Sequence, residues 1–259
     1  MTEKKLIFFD IDGTLVDSDG IIPTSTKEGI AQLKELGHDV VIATGRAPFM
    51  FDDIRNELDI HSYVCFNGQL AVFGDQIIHK NPLNQEALKR LTAAAEENGH
   101  PIVHVDPFGI GASDPHHNDL IECMQPDKLA VPIIHDAHYY EGRDIIQSML
   151  FLREHETASY VSNFSDFRFT HWHPLAVDVD PAGGSKAKGC EVVMNHLGYL
   201  IDHVYAFGDG LNDIDMLSFV QNSIAMGNAH PEVKRVSRFV TKSVGENGIY
   251  HGLKMVGLL

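Results

Sequence analysis

Asp10 and Asp12 stand one residue apart in the string Asp10-Ile11-Asp12-Gly13-Thr14, directly after the apolar run Leu6-Ile7-Phe8-Phe9. Two carboxylates this close repel, so their site must hold a cation or share a proton. A divalent metal resolves the repulsion and leaves one acid as a nucleophile and the other as a proton carrier. A second acidic stretch, Gly208-Asp209-Gly210-Leu211-Asn212-Asp213, ends another apolar run. Oxygen donors in this number suit magnesium far better than zinc or copper. Thr44, in Ala43-Thr44-Gly45-Arg46, offers a hydroxyl and neighbouring N–H groups to a phosphoryl oxygen at a helix start, and Gly45 lets the backbone approach closely. A plain helix cap would use the same residue type at Thr44. Lys186, in Gly183-Gly184-Ser185-Lys186, stands where the helix dipole disfavours a cation. Nearby carboxylates and an anionic substrate would account for it, whereas Lys188 falls on another helix face.

These residues need elements that bring them to one place. Residues 5–10 form an apolar run of strand length. Ser25-Thr26-Lys27-Glu28 offers a capping box for a helix that Gly37 stops. His38-Asp39-Val40-Val41-Ile42-Ala43 lacks alternation, as a strand buried on both faces of a parallel sheet does. Pro48 opens a helix to about Leu58, and Tyr63-Val64-Cys65-Phe66 is a third strand leading into the turn signal Asn67-Gly68. Four of the loops, carrying Asp10, Thr44, Lys186 and Asp209, therefore gather at one edge of an open α/β sheet, where such sheets bind ligands. From about residue 82 the texture changes to a long helix (83–98), paired strands (101–106, 109–113), a helix (118–124), a strand (145–152), a helix (153–164) and a closing hairpin around Pro174. Strand–helix alternation resumes after Asp180. The pattern predicts a Rossmann-like parallel-sheet core, residues 1–81 and 181–259, interrupted by an inserted α+β cap domain, residues 82–180.

The chain of 259 residues has ample core for two unequal domains, and its 44% hydrophobic and 22% charged content is ordinary for a globular protein. A formal charge of -16 argues against a nucleic-acid or anionic-membrane partner. It also means that any anion site must be locally positive. Three widely spaced cysteines give neither a disulfide framework nor zinc spacing. With no signal-peptide core and no spanning apolar run, the sequence predicts a cytoplasmic protein. The 16 histidines are scattered without a metal-binding frame.

The four elements, in this order, resemble the haloacid dehalogenase (HAD) superfamily of phosphotransferases. Asp10-x-Asp12-Gly13-Thr14 matches its first motif, Thr44 its second, Lys186 its third and Gly208-Asp209-x-x-Asn212-Asp213 its fourth. Ala43-Thr44-Gly45-Arg46, Phe66-Asn67-Gly68 and Ala225-Met226-Gly227-Asn228-Ala229 resemble its Cof-type subfamily, whose class IIB cap lies between the second and third motifs. The resemblance implies a Mg²⁺-dependent phosphatase of small phosphorylated metabolites, either sugar phosphates or phosphorylated cofactors. Asp10 would be the nucleophile and form an aspartyl-phosphate, while Asp12 would protonate the leaving alcohol and then deprotonate water. Mg²⁺ would be held by Asp10, the backbone carbonyl of Asp12, and Asp209, with Asp213 assisting. Thr44 and Lys186 would stabilise the transferring phosphoryl oxygens, and Gly45, Arg46, Asn67 and Asn212 would add substrate contacts. A phosphomutase would share the nucleophile. A receiver-type phospho-acceptor would share the aspartate, threonine and lysine but is disfavoured by Asp12, chain length and the inserted domain. Tyr139, Tyr140, His171, Trp172 and His173 are candidates for cap specificity, although core or surface roles account for them more simply. His171 and His173 should share one strand face and leave Trp172 on the other.

Overall fold

The run Leu6–Phe9 forms strand β1, and all four side chains are completely buried. A strand with no exposed face must be covered on both sides, so β1 belongs in the middle of a parallel sheet. It lies between β2 (Asp39–Ala43) and β12 (Val204–Gly208) and is parallel to both, with Phe9 opposite Ile42 and Phe207. This computed structural model describes residues 3–125, 129 and 131–259. The eight-stranded sheet runs β14 (Phe239–Val240), β13 (Asn222–Ala225), β12, β1, β2, β3 (Tyr63–Cys65), β4 (Leu70–Phe73), β5 (Gln76–Lys80). The pairs from β14 to β3 are parallel, and the direction reverses at β3–β4. Helix α1 (Thr24–Glu35) packs with α9 (Gly248–Met255), while α6 (Lys186–Leu197) packs with α7 (Ile214–Phe219), and α7 with α8 (Pro231–Val236). This is the Rossmann-like arrangement the alternation predicts.

The chain divides into two units, the first being the described residues of Met1–Arg46, Asp52–His79 and Ser185–Leu259. The second holds Ala47–Phe51 and the described residues of Lys80–Gly184. Its six-stranded sheet runs β10 (Phe167–His173), β11 (Ala176–Pro181), β9 (Gln147–Phe151), β6 (Ile102–Asp106), β7 (Gly109–Ala112), β8 (Ile133–His135). Adjacent strands are antiparallel except β7 and β8. Helix α3 (Gln85–Glu97) is capped by Asn84, whose side chain accepts the Ala87 N–H at 2.9 Å. Its Leu88 and Leu91 join Leu150, Val177, Val179 and Tyr160, from β9, β11 and α5 (Thr157–Asn163), in one apolar core. Helix α4 (Asn118–Met124) completes this unit's helices among the described residues.

Three local expectations change. The box proposed at Ser25 does not form, because α1 begins at Thr24 behind Pro23. Ser25 Oγ instead donates to Asn247 Oδ1, 2.7 Å away, and Thr26 Oγ1 is buried without a hydrogen-bond partner among the described residues. The helix from Pro48 breaks at Phe51 (φ −138°), giving a 3₁₀ turn, Pro48–Met50, before α2 (Asp52–Glu57). Burial of Phe49 and Phe51 takes precedence over helix continuity there. Asn67-Gly68 is no two-residue hairpin: Phe66, Asn67 and Gly68 all adopt positive φ in a 3₁₀-type turn.

Candidate active site

The sheet register brings the chemical residues together. Asp10 continues the β1 ladder, donating its N–H to the Phe207 carbonyl, while Thr44, just beyond β2, donates its N–H to the Val64 carbonyl. The Phe66–Gly68 turn folds back on this second loop: the Asn67 N–H bonds to the Thr44 carbonyl and the Phe66 N–H to that of Arg46. On its other flank the turn meets the start of α6, where a Cβ on Gly68 would come within 1.9 Å of the Ser185 carbonyl oxygen. Only glycine permits that approach. Ser185 caps α6 by accepting the Lys188 N–H, and so starts the helix with Lys186 pointing inward.

Lys186 is fully buried, and its Nζ donates to Asp10 Oδ1 (2.9 Å) and Asp213 Oδ1 (2.6 Å). Lys188 is exposed. The other oxygen of Asp213 accepts the N–H groups of Asp209 and Gly210 at 2.9 and 3.0 Å. Asp213 thus orients both Lys186 and the loop that carries Asp209. Asp209 is held in turn by Thr14, whose hydroxyl donates to Oδ1 (3.1 Å), and by Asn228, whose Nδ2 donates to Oδ2 (3.1 Å) and to the Gly13 carbonyl (2.9 Å). Gly13 (φ +74°) lies so close that a Cβ there would be 2.2 Å from Asp209 Oδ2.

One ammonium faces three carboxylates, and the imbalance is visible in their protonation. Burial, with the Asp213 charge added, raises the Asp10 pKa to about 8 despite Lys186. Burial and Asp213 likewise raise Asp209 to about 6, against the hydrogen bond from Thr14. Burial works against the charge on Lys186, but Asp10 and Asp213 outweigh it and hold its pKa above the ordinary lysine value. Oxygens of Asp10, Asp209 and Asp213 all lie within 4.8 Å of one another. Hard oxygen donors with uncompensated negative charge fit a divalent cation such as those carboxylate sites hold.

The remaining candidates divide. Thr44 is buried, and its Oγ1 accepts the Arg46 N–H at 3.2 Å, which leaves the hydroxyl hydrogen available. Asn67 packs on Gly45, and its Oδ1 is buried without a hydrogen-bond partner among the described residues. Arg46 turns its guanidinium to Asp12. Asn212 is exposed, folds its amide over Gly210 and has no bond to the acidic cluster among the described residues. In the second unit, Tyr139 and Tyr140 are core residues. His171 Nε2 lies 2.8 Å from Thr157 Oγ1 and His173 Nδ1 3.1 Å from Cys123 Sγ. A register shift falls between these two histidines, and Trp172 is exposed. Sequence reasoning assigned no role to Thr14 or Asn228. The only signal was that both lie in matched motifs.

Residues 7–253 match the haloacid dehalogenase-like hydrolase family. The chain belongs to that family. It is 45% identical, over 99% of both chains, to YkrA of Bacillus subtilis (strain 168). A hypothetical protein from Geobacillus kaustophilus HTA426 has the same structure with a TM-score of 0.95, at 50% identity over 99% of this chain and 100% of that one. The HAD subclass IIB sugar phosphatase BT4131 superposes with a TM-score of 0.86, at 29% identity over 99% of this chain and 100% of its own. This HAD hydrolase is accordingly a phosphatase. No helix among its described residues is long and apolar enough to cross a membrane.

Proposed function

We propose that this phosphatase hydrolyses monoesters of small phosphorylated metabolites, with sugar phosphates the first class and phosphorylated cofactors the second. The observation that carries the reading is the buried Lys186 bridging Asp10 and Asp213 beside Asp209. It supplies an anion-binding charge next to a carboxylate nucleophile, within a cluster still short of positive charge. Asp10 attacks phosphorus in line; the P–O bond to the leaving group breaks, and the leaving oxygen takes a proton from Asp12. Water then attacks the aspartyl-phosphate, gives its proton to Asp12, and the electron pair of the broken bond returns to the Asp10 oxygen. Thr44 and Lys186 hold the transferring phosphoryl oxygens, since this chemistry depends mostly on positioning and electrostatics. Gly45, Asn67 and Arg46 border the same loops.

Mg²⁺ would be held by Asp10, Asp209 and the backbone carbonyl of Asp12, with Asp213 assisting. When bound, it would neutralise charge on the phosphoryl oxygens and orient the phosphate. Residues 82–180 would act as a cap that selects the leaving group. The name of BT4131 supports sugar phosphates as the favoured class. The test is turnover of p-nitrophenyl phosphate by Asp10→Asn with Mg²⁺ present. Loss of activity with an unchanged circular dichroism spectrum is expected, and wild-type turnover would sink the assignment. A screen of phosphorylated metabolites, ranked by kcat/KM with Mg²⁺ present and removed, then identifies the substrate.

A further inference from the structure

We propose that Arg46 is a positioning residue for Asp12, and not a contact for the substrate anion. The inference rests on the phosphatase reading above and assigns one of its residues a different task. Asp12 lies in the tight loop after β1, yet its side chain is 63% exposed. An exposed carboxylate has several rotamers of similar energy, and proton transfer needs one of them at a defined place. The only side chain bonded to it among the described residues is Arg46, which meets both oxygens: Nε at 3.0 Å from Oδ2 and Nη2 at 2.5 Å from Oδ1. Such a fork fixes the plane of the carboxylate as well as its distance, which a lysine cannot do.

The arginine is itself held. Its N–H bonds to Thr44 Oγ1 at 3.2 Å, and its carbonyl accepts the Phe66 N–H at 3.2 Å. Phe66 (φ 51°) and Asn67 (φ 50°) are consecutive non-glycine residues in the left-handed region. That conformation is costly and persists where the surroundings require it. Here it presses the third-strand turn against the Thr44–Arg46 loop. The proton carrier on the first loop is thereby referenced to the phosphoryl-binding hydroxyl on the second. Asp12 and Arg46 together line an open cavity of about 680 Å³ with Asp17, Asp19, Asn228 and Gly245. During departure of the alcohol, one Asp12 oxygen keeps its Arg46 partner while the other, protonated and released from its Arg46 N–H, delivers its proton to the leaving oxygen, which retains the electron pair of the broken P–O bond.

Leaving-group dependence separates this role from the others. The quantity kcat/KM covers only events up to formation of the aspartyl-phosphate, so Asp12's later task as a base does not enter it. Glycerol 1-phosphate releases an alkoxide that needs a proton; 2,4-dinitrophenyl phosphate releases a stable phenolate that does not. Positioned proton transfer contributes roughly 10²–10⁴-fold. For Arg46→Ala we therefore expect kcat/KM to fall at least about tenfold further with glycerol phosphate than with the dinitrophenyl ester. Added guanidinium chloride should restore the alkyl ester preferentially, and Arg46→Lys should be intermediate. In an Asp12→Asn background, removing Arg46 should leave the alkyl-to-aryl ratio unchanged. Equal losses on both esters would overturn the proposal, since an arginine that binds the phosphate or only supports the fold affects both alike. If Arg46→Ala does not fold, Arg46→Gln supplies the same comparison. An active Asp10→Asn would instead strike the phosphatase reading itself, so the two failures are distinguishable.

Discussion

Replacing Lys186 by methionine keeps most of the length of the buried side chain, one atom short, and removes its charge. Wild type makes two buried contacts there, 2.9 Å to Asp10 and 2.6 Å to Asp213. Removing one partner of a buried ion pair costs about 3–5 kcal/mol, because the remaining charge is left without compensation. Two carboxylates lose their partner here, which pushes the cost up. Protonation of Asp10 limits it, since that acid already titrates near 8 and would titrate higher without the ammonium. We therefore expect about 3 kcal/mol at pH 8.5 in the presence of a chelator. For a unit of about 150 residues each kcal/mol shifts the melting temperature by about 3 °C, so Tm should fall by on the order of 10 °C. The sign with pH follows from the group left behind. Below its folded pKa, Asp10 is neutral and its burial without a partner costs little, so the gap to wild type should narrow at pH 5.5. Calorimetry of wild type, Lys186→Met and Lys188→Met at both pH values checks this. The exposed Lys188 variant should stay within about 0.5 kcal/mol of wild type. A Lys186→Met protein that melts with wild type at pH 8.5, or a Lys188→Met protein that loses as much, would refute the reasoning.

Chelated wild type should itself lose stability as pH rises from about 4 towards 8. Asp10 (about 8) and Asp209 (about 6) have folded pKa values above the unfolded 3.8, so the folded state binds more protons in that window. A divalent cation should flatten the slope; a metal-free profile that instead climbs from pH 5 to 8 would contradict the charge imbalance. Asn228→Ala removes one of two hydrogen bonds orienting Asp209, together with the tie to Gly13. Loss of such a supporting bond lowers metal affinity by about 10–100-fold, so isothermal titration with Mg²⁺ should show a Kd raised by at least that lower figure, and an unchanged Kd would mean that Thr14 alone suffices.

The sequence carried the central part of the candidate site because strand ends are readable. An unbroken apolar run such as Leu6-Ile7-Phe8-Phe9 marks a strand buried on both faces, and the first polar residue after it must lie at the sheet edge. Asp10, Thr44 and Asp209 were all found that way. Partners could not be read by the same route. Thr14 and Asp209 are 195 residues apart, and Arg46 and Asp12 34 apart, and neither pair has a periodicity that reveals it. The turn at Phe66 shows the opposite limit. Asn-Gly reads locally as a hairpin signal, but tertiary bonds to Thr44 and Arg46 hold the chain in consecutive left-handed conformations that local preference opposes. Strand β8, only three residues long, lay in a segment to which no element was assigned.

The choice between Lys186 and Lys188 shows how a backbone contact decides which lysine joins the acidic cluster. A Cβ at Gly189 would come within 2.4 Å of Val64 Cγ1 and 2.8 Å of the Gly68 Cα, so α6 touches the third strand and its turn at that residue. In a helix of 3.6 residues per turn, position 186 lies three residues before 189 and shares its face, whereas 188 is rotated about 100° away from it. The glycine therefore does more than allow close packing: it sets the azimuth of the helix, and with it which lysine enters the acidic cluster. If that argument is right, Gly189→Val should lower turnover by displacing the Lys186 ammonium although the substitution touches no reacting group. A crystal structure of the variant should show Nζ drawn away from Asp10. An active Gly189→Val enzyme with the 2.9 Å contact intact would place the control of Lys186 in the Ser185 cap instead.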